Sequence, residues 1–119
     1  MHNYKELNVW KKSVDLATMV YQRTSSFPSG KKFGLTSQIR RSAVSISSNI
    51  AEGSGRSTNK DFNNFLGYSY GSACELETQL IIANKIGFLA GVQFEELNNE
   101  LQSIQKMIFS LRNKLKQGV

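Results

Sequence analysis

Few side chains in this sequence could carry out catalysis or bind a metal ion. The chain has one cysteine, Cys74, and one histidine, His2. A closed zinc site needs four ligands, and a cysteine nucleophile needs a nearby base, which the sequence does not place beside Cys74. We therefore expect no metal site and no cofactor, and we expect Cys74 to be a small buried apolar residue on a helix.

The acidic residues offer no better case for acid–base catalysis. Glu75 and Glu77 are two residues apart, a spacing that directs them to different sides of a helix. Glu52 could pair with Arg40 or Arg41 or reach a neighbouring helix, and such structural or interface contacts are the commoner role for a lone carboxylate. The sequence therefore predicts a protein that is not an enzyme.

The segment GSGRSTNK at 53–60 has a composition that could bind phosphate. Backbone amides at the start of a helix, with Arg56 and Lys60 nearby, could hold an anion. The segment is not a Walker A loop, because Asn59 rather than glycine precedes Lys60 and no strand precedes the segment. A turn followed by a helix cap explains the same residues, so both interpretations remain open.

The net charge of +6 and an isoelectric point near 9.6 favour polyanionic partners such as RNA or DNA. No RNA-recognition motif, zinc finger or helix-turn-helix pattern accompanies the basic residues. Contact would therefore be made mainly to phosphate, with little sequence selectivity. The candidate nucleic-acid-binding residues are Lys11, Lys12, Arg40, Arg41, Arg56 and Lys60; Lys31–Lys32 and the tail are further basic clusters.

Four amphipathic helices must position these residues, and the first two flank a loop at 26–32 that contains Pro28. For the first helix, about 7–25, we predict a buried stripe of Leu7, Trp10, Val14, Ala17, Val20 and Tyr21. For the second, about 35–53, the stripe is Leu35, Ile39, Ala43, Ile46 and Ile50. Thr36 or Ser37 is its predicted N-cap, and Gly53 and Gly55 are predicted to end it in a left-handed conformation.

The third and fourth helices are predicted at about 58–86 and 91–117. Thr58 and Asp61 resemble a capping box, and Gly67 and Gly71 suggest a close approach between helices. The third stripe is Phe62, Phe65, Leu66, Ser69, Ala73, Leu76, Leu80 and Ala83. The fourth is a heptad seam of Phe94, Leu97, Leu101, Ile104, Ile108, Leu111 and Leu115. Glutamates begin the fourth helix and basic residues end it, which matches the helix dipole.

These segments predict an all-α fold, an antiparallel up-down-up-down four-helix bundle formed by a single domain at 1–119. No apolar run is long enough to span a membrane, and the first residues lack the apolar core of a signal peptide. A single cysteine excludes an internal disulfide. We therefore expect a cytoplasmic protein with no membrane partner.

Two features predict self-association. The second helix carries a polar line of mostly short side chains opposite its apolar stripe, and the third has aromatic and aliphatic residues off its stripe. The candidate interface residues are Arg41, Ser45, Ser48, Glu52, Tyr68 and Tyr70. A solvated polar face and scattered surface apolar residues would explain the same pattern.

Several phrases of the sequence resemble the four-helix-bundle family first noticed in intervening sequences of bacterial 23S ribosomal RNA genes. They are YKELNVW at 4–10, FP at 27–28, FGLTSQIRR at 33–41, SNIAEG at 48–53, KDF at 60–62 and ELETQL at 75–80. The chain departs from that pattern at Ser47, where the family has proline, and at Lys31 and Lys32, where the family has an acidic residue.

The resemblance implies a barrel-like homopentamer with no established enzymatic activity and no catalytic residues to transfer. A similar bundle is the accessory protein of diversity-generating retroelements, which binds a reverse transcriptase and nucleic acid through a basic surface. Two functions follow as hypotheses. The first is a non-enzymatic oligomer that binds RNA or DNA electrostatically. The second is a protein-interaction scaffold, such as an accessory subunit of a reverse transcriptase, with no direct nucleic-acid role.

Overall fold

The computed structural model of the chain describes residues 2–28 and 34–118, which are all-α. A short 3-10 helix at Tyr4–Glu6 precedes four α-helices: α1 (Asn8–Arg23), α2 (Leu35–Ser54), α3 (Asn59–Lys85) and α4 (Gly91–Lys116). Helix α1 packs against α2 and α4, and α3 likewise packs against α2 and α4. The described part of the chain contains no strand. The predicted Lys31–Lys32 cluster and part of its loop lie outside the described residues.

The core is formed by the apolar stripes predicted for α2, α3 and α4. The fully buried members include Ile39, Ala43, Ile46 and Ile50 on α2, Leu66, Ala73, Leu76, Leu80 and Ala83 on α3, and Leu97, Leu101, Ile104 and Ile108 on α4. Leu35, Phe94 and Leu111 are partly buried and pack against this cluster. The spacing of three and four residues therefore located the buried face of these helices correctly.

The stripe predicted for α1 is wrong in part, because its buried face is turned toward Val9, Ser13, Leu16, Ala17 and Val20. Ser13 can be buried because its hydroxyl donates a hydrogen bond to the carbonyl of Val9 at 2.6 Å. Tyr21, by contrast, is 46% exposed.

The predicted bounds of α2 agree with the structure to within a residue, but its predicted caps are wrong. Gly34 precedes the helix as its N-cap, so neither Thr36 nor Ser37 has that role. At the other end Gly55 has φ of −84°, and no left-handed residue ends the helix. Gly53 has a packing role instead, since a Cβ atom added there would lie 2.5 Å from the Cβ of Phe65 on α3.

The two glycines within α3 differ in their surroundings. The guanidinium of Arg112 on α4 lies over Gly67, where an added Cβ would be 3.2 Å from either terminal nitrogen. Gly67 therefore leaves room for the Arg112 side chain, and the close approach between helix backbones that we predicted at this position is not seen. An added Cβ at Gly71 would meet no described atom within 4 Å, so the prediction is wrong for this position within the protomer.

Thr58 caps α3, as its spacing from Asp61 predicts, because its side-chain oxygen accepts a hydrogen bond from the Asp61 amide at 3.1 Å. Replacing Thr58 with alanine should lower the free energy of unfolding by about 1 kcal/mol, since that amide loses its partner. Urea denaturation measures the change. Ser57→Ala, at the exposed neighbouring position, is the control, and an equal loss in both variants would contradict the capping role.

Candidate nucleic-acid interface and subunit surface

Two of the basic residues that the sequence singles out are used inside the bundle. The ammonium group of Lys12 donates to the carboxylate of Glu100 at 2.9 Å and joins α1 to α4. Arg40 donates to the hydroxyl of Thr24 at 3.0 Å and to the carbonyl of Tyr21, and its guanidinium stacks on the Tyr21 ring at 4.7 Å. Both side chains therefore join two helices of the bundle and are poorly placed to contact phosphate.

The turn around Arg56 is more consistent with a helix cap than with an anion site. Arg56 donates to Glu52 at 3.2 Å and stacks on the ring of Phe65 at 4.6 Å, so its charge is partly compensated. The amides of Gly55 and Arg56 donate to carbonyls of the last turn of α2. At the start of α3 the Asp61 amide is also used, since it donates to the Thr58 hydroxyl, so the structure favours the cap interpretation of 53–60.

The other three candidates, Lys11, Arg41 and Lys60, are exposed and make no ion pair or hydrogen bond with any described residue. They do not all lie together. Lys11 near the start of α1 and Lys60 in the first turn of α3 lie toward one end of the bundle, whereas Arg41 lies in the first half of α2. The sequence therefore identified cations that are available to a ligand, but it did not show which of them share a surface.

Contacts between helix ends define one end of the bundle. The amide of His2 donates to the carbonyl of Ser54 at 3.0 Å, and the His2 ring lies 4.9 Å from that of Phe62. Arg112 donates to the side-chain oxygen of Asn63 at 2.8 Å. Residues 2–11, 52–63 and 106–118 therefore meet at the same end, which we call the basic end.

Most of the net charge lies at this basic end. Its cations are Lys5, Lys11, Arg56, Lys60, Lys106, Arg112, Lys114 and Lys116, and its anions are Glu6, Glu52 and Asp61. The remaining described residues carry the five cations Lys12, Arg23, Arg40, Arg41 and Lys85, and the six anions Asp15, Glu75, Glu77, Glu95, Glu96 and Glu100. The chain thus presents a concentrated positive field at one end.

At the opposite end an ion pair joins α1 to α4. Arg23 donates to Glu96 at 2.7 Å, and this hydrogen bond holds the pKa of the Glu96 carboxyl below its usual value. A carboxyl group with a depressed pKa stabilises the fold above its unfolded-state pKa and loses that contribution as the pH falls through the folded-state value.

Replacing Glu96 with glutamine should therefore destabilise the protein at about pH 7, and the difference from the unsubstituted chain should vanish toward about pH 3. Urea denaturation at several pH values measures both effects. Glu95→Gln is the control, because Glu95 is exposed and forms no ion pair among the described residues. A pH-independent effect at Glu96 would contradict this linkage.

The six candidate interface residues do not form one surface. Arg41, Ser48 and Glu52 are exposed along α2, and Tyr68 on α3 is 59% exposed. Two of the candidates, Ser45 and Glu52, form hydrogen bonds within α2 or to its neighbours. Ser45 pairs with Ser72 of α3 at 2.9 Å and accepts from Asn49, and Glu52 binds Arg56.

Tyr70 belongs to a different surface from Tyr68. Its ring is partly buried against the core, and it lines a cavity of about 370 Å³ with Gln105 and Phe109 of α4. Tyr70 therefore packs between α3 and α4 and does not belong to the exposed α2–α3 surface.

A polar cleft of about 460 Å³ lies between α2 and α3. It is lined by Gln38, Arg41, Ser42, Ser45, Glu75 and Gln79. Ser42 donates to the Glu75 carboxylate at 2.8 Å, and the side-chain oxygen of Gln79 is shielded from solvent with no hydrogen-bond partner. Sequence spacing did not bring Glu75 and Gln79 to Arg41, because the three residues meet only through the packing of α2 on α3. The lining residues that the structure describes include neither cysteine nor histidine.

Comparison with known proteins identifies the family. Residues 5–110 match the family described as 23S rRNA-intervening sequence protein. The chain belongs to this family. It is also similar to a crystal structure from Bacteroides thetaiotaomicron, described as a protein of unknown function from the S23 ribosomal protein family. The two are 29% identical with a TM-score of 0.78, and the match covers 87% of this chain and 97% of the other. No curated protein matches the chain.

Serine at position 47, where the resemblance implies proline, is compatible with the fold. Ser47 lies in the middle of α2, and its hydroxyl donates to the carbonyl of Val44 at 3.0 Å. The serine keeps its backbone donor, which a proline at this position would remove.

The remaining findings concern Cys74, metal binding and membrane spanning. Cys74 is exposed, so the expectation that it is buried is wrong. Within 2–28 and 34–118 no cluster of three or more histidine, cysteine or acidic residues could hold a metal ion. None of the four helices is both long and apolar enough to cross a membrane.

Proposed function

We propose that this family member is a non-enzymatic, oligomeric four-helix-bundle protein that binds RNA or DNA through phosphate contacts at its basic end. The observation that carries the proposal is the excess of cations there. Lys5, Lys11, Lys60, Lys106, Lys114 and Lys116 are exposed, and none of them forms an ion pair with a described residue. Phosphate groups would replace the counterions of these lysines, which favours binding at low salt.

An antiparallel, up-down-up-down topology is part of this proposal, because the contacts run in opposite directions along neighbouring helices. Ser42 of α2 contacts Glu75 of α3, whereas Gly53, later in α2, packs on Phe65, earlier in α3. The same reversal relates α3 to α4 through the pairs Asn63–Arg112 and Glu77–Gln105. This topology brings the start of α1 and the end of α4 to the basic end.

We further propose that the bundle assembles as a homopentamer, the state that the family resemblance implies. The exposed face of α2 and α3 is the preferred contact surface. Val44 is 41%, Tyr68 59% and Ile82 43% exposed there, next to the polar residues Arg41 and Ser48. Repeating the basic end in each subunit would strengthen nucleic-acid binding through multivalency. Multi-angle light scattering measures the state, and a monodisperse monomer at micromolar concentration would contradict the proposal.

Binding of two labelled single-stranded RNAs with unrelated sequences tests the nucleic-acid function. We expect their dissociation constants to agree within about threefold, because phosphate contacts carry no sequence information. Heparin should displace both RNAs. Strong preference for one sequence would contradict a phosphate-only interface, and the absence of binding at low salt would contradict the function.

A second candidate is a protein-interaction scaffold, such as an accessory subunit of a reverse transcriptase in the cytoplasm. The observation that favours it is exposed apolar surface away from the α2–α3 face. On α4, Val92 is 84% exposed and Phe109 is 63% exposed. A partner that co-purifies equally well after nuclease treatment would favour this function over direct RNA binding.

A further inference from the structure

An apolar groove lies between the beginning of α1 and the last turns of α4. Its volume is about 390 Å³, and it is lined by Leu7, Asn8, Val9, Lys106, Met107, Ser110, Leu111 and Lys114. Leu7, Met107 and Leu111 are partly buried, so each packs on the core with one side and presents the other to the groove. The floor is therefore aliphatic, with an adaptable methionine in the middle.

Two lysines flank this floor. Lys106 and Lys114 are eight residues apart on α4, which corresponds to about 12 Å along the helix. Both are exposed, and neither forms an ion pair with any residue that the structure describes. An occupant of the groove would therefore meet apolar surface between two unneutralised positive charges.

The apolar surface continues on the other side of Lys106. The neighbouring cavity of about 370 Å³ shares Lys106 and Ser110 with the groove and is also lined by Tyr70 and Phe109. Phe109 is 63% exposed. Lys106 therefore stands between two concave surfaces on the outer face of α4, which together extend over about three helical turns.

We propose that this groove binds an amphipathic, acidic helix of a partner protein. Apolar side chains at helical spacing would fill the aliphatic floor, and flanking glutamates or aspartates would pair with Lys106 and Lys114. This goes beyond the proposed nucleic-acid function, because it assigns a protein partner to the groove between α1 and α4, whose two lysines also belong to the basic end.

The chemistry of the floor favours a peptide over nucleic acid. Leu7, Val9, Met107 and Leu111 offer no donors to phosphate or base edges and no aromatic ring on which a base could stack. A second copy of this chain fits less well, because two of the three acids of α4, Glu96 and Glu100, are already bonded to Arg23 and Lys12, which leaves only Glu95 on that helix without an ion pair among the described residues.

A labelled peptide of about 14 residues tests the proposal. It carries leucine at every third or fourth position and glutamate on both flanks of that stripe. A peptide of the same composition in scrambled order is the control. Fluorescence anisotropy with the full chain should give micromolar binding for the amphipathic peptide and at least tenfold weaker binding for the scrambled one. Equal binding of both peptides, or none, would overturn the proposal.

Met107→Gln separates this inference from RNA binding, because it makes the floor polar without changing the net charge. It should weaken the amphipathic peptide about tenfold, consistent with the loss of a buried methionine contact, and leave RNA affinity unchanged. Met19→Gln, also at a partly buried position but outside the groove, should leave both affinities unchanged.

Other results with the same variants would overturn the proposal. If Met107→Gln weakened RNA to the same degree as the peptide, the groove would belong to the nucleic-acid interface. If it dissociated the oligomer in light scattering, the groove would be a contact between copies of the chain. In the unsubstituted protein, peptide binding without any RNA binding would support the groove and contradict the proposed nucleic-acid function, so the two failures are distinguishable.

Discussion

Replacing Gly53 with alanine should destabilise the bundle by about 3 kcal/mol, although alanine is the better helix former by about 1 kcal/mol. The added Cβ atom would lie 2.5 Å from the Cβ of Phe65 and 3.3 Å from the backbone carbonyl of Phe62. Neither atom is the end of a flexible side chain, so α2 and α3 would have to move apart. Urea denaturation followed by far-ultraviolet circular dichroism measures the loss.

The matched control is Gly71→Ala, the same substitution elsewhere in the bundle. Gly71 is exposed within α3, and its added Cβ would meet no described atom within 4 Å. This variant should gain about 0.5–1 kcal/mol from helix propensity. A stable Gly53→Ala variant, or an equal loss at both positions, would contradict the close packing of α2 on α3 at Gly53.

Replacing Lys60 and Lys114 together with glutamine should weaken single-stranded RNA binding about 25-fold at about 0.1 M salt. The estimate assumes that each lysine neutralises one phosphate and that each contact contributes the counterion-release factor of a single strand. Both side chains are exposed at the basic end and make no ion pair with a described residue. Fluorescence anisotropy with the same RNA measures the change.

The control for this pair is Arg41→Gln with Lys85→Gln, which lowers the net charge by the same amount outside the basic end. Arg41 and Lys85 are also exposed and unpaired among the described residues. The control should weaken RNA by less than about threefold once light scattering has shown that its oligomeric state is unchanged, since both residues lie outside the basic end. An equal loss in both double variants would show that overall charge, not the basic end, determines binding.

The sequence predicted the buried faces of three helices because their apolar residues agree with the helical period. Helix α4 is the clearest case, with Leu97, Leu101, Ile104 and Ile108 at alternating steps of four, three and four. The prediction failed for α1 because Ser13 is buried and Tyr21 is exposed. The spacing of apolar residues does not reveal that the Ser13 hydroxyl is hydrogen-bonded within its own helix. It also does not reveal that the Tyr21 ring stacks on Arg40.

The candidate site was less predictable, because its geometry depends on contacts between distant segments. The pairing of Lys12 with Glu100 joins residues 88 positions apart, and it removes a cation that the sequence offered to nucleic acid. The positive charge of the basic end likewise comes from residues in three separate stretches of the chain. Gly53 illustrates a different cause, since glycine at a helix end and glycine at a close contact look the same in sequence.

The dependence of RNA affinity on salt tests the central claim most directly. A plot of log affinity against log salt for the unsubstituted protein should be linear with a steep negative slope. Substitution of Lys60 and Lys114 should make that slope shallower by about 1.4, and substitution of Arg41 and Lys85 should leave it unchanged. A flat plot, or identical slopes for all three proteins, would contradict electrostatic binding at the basic end.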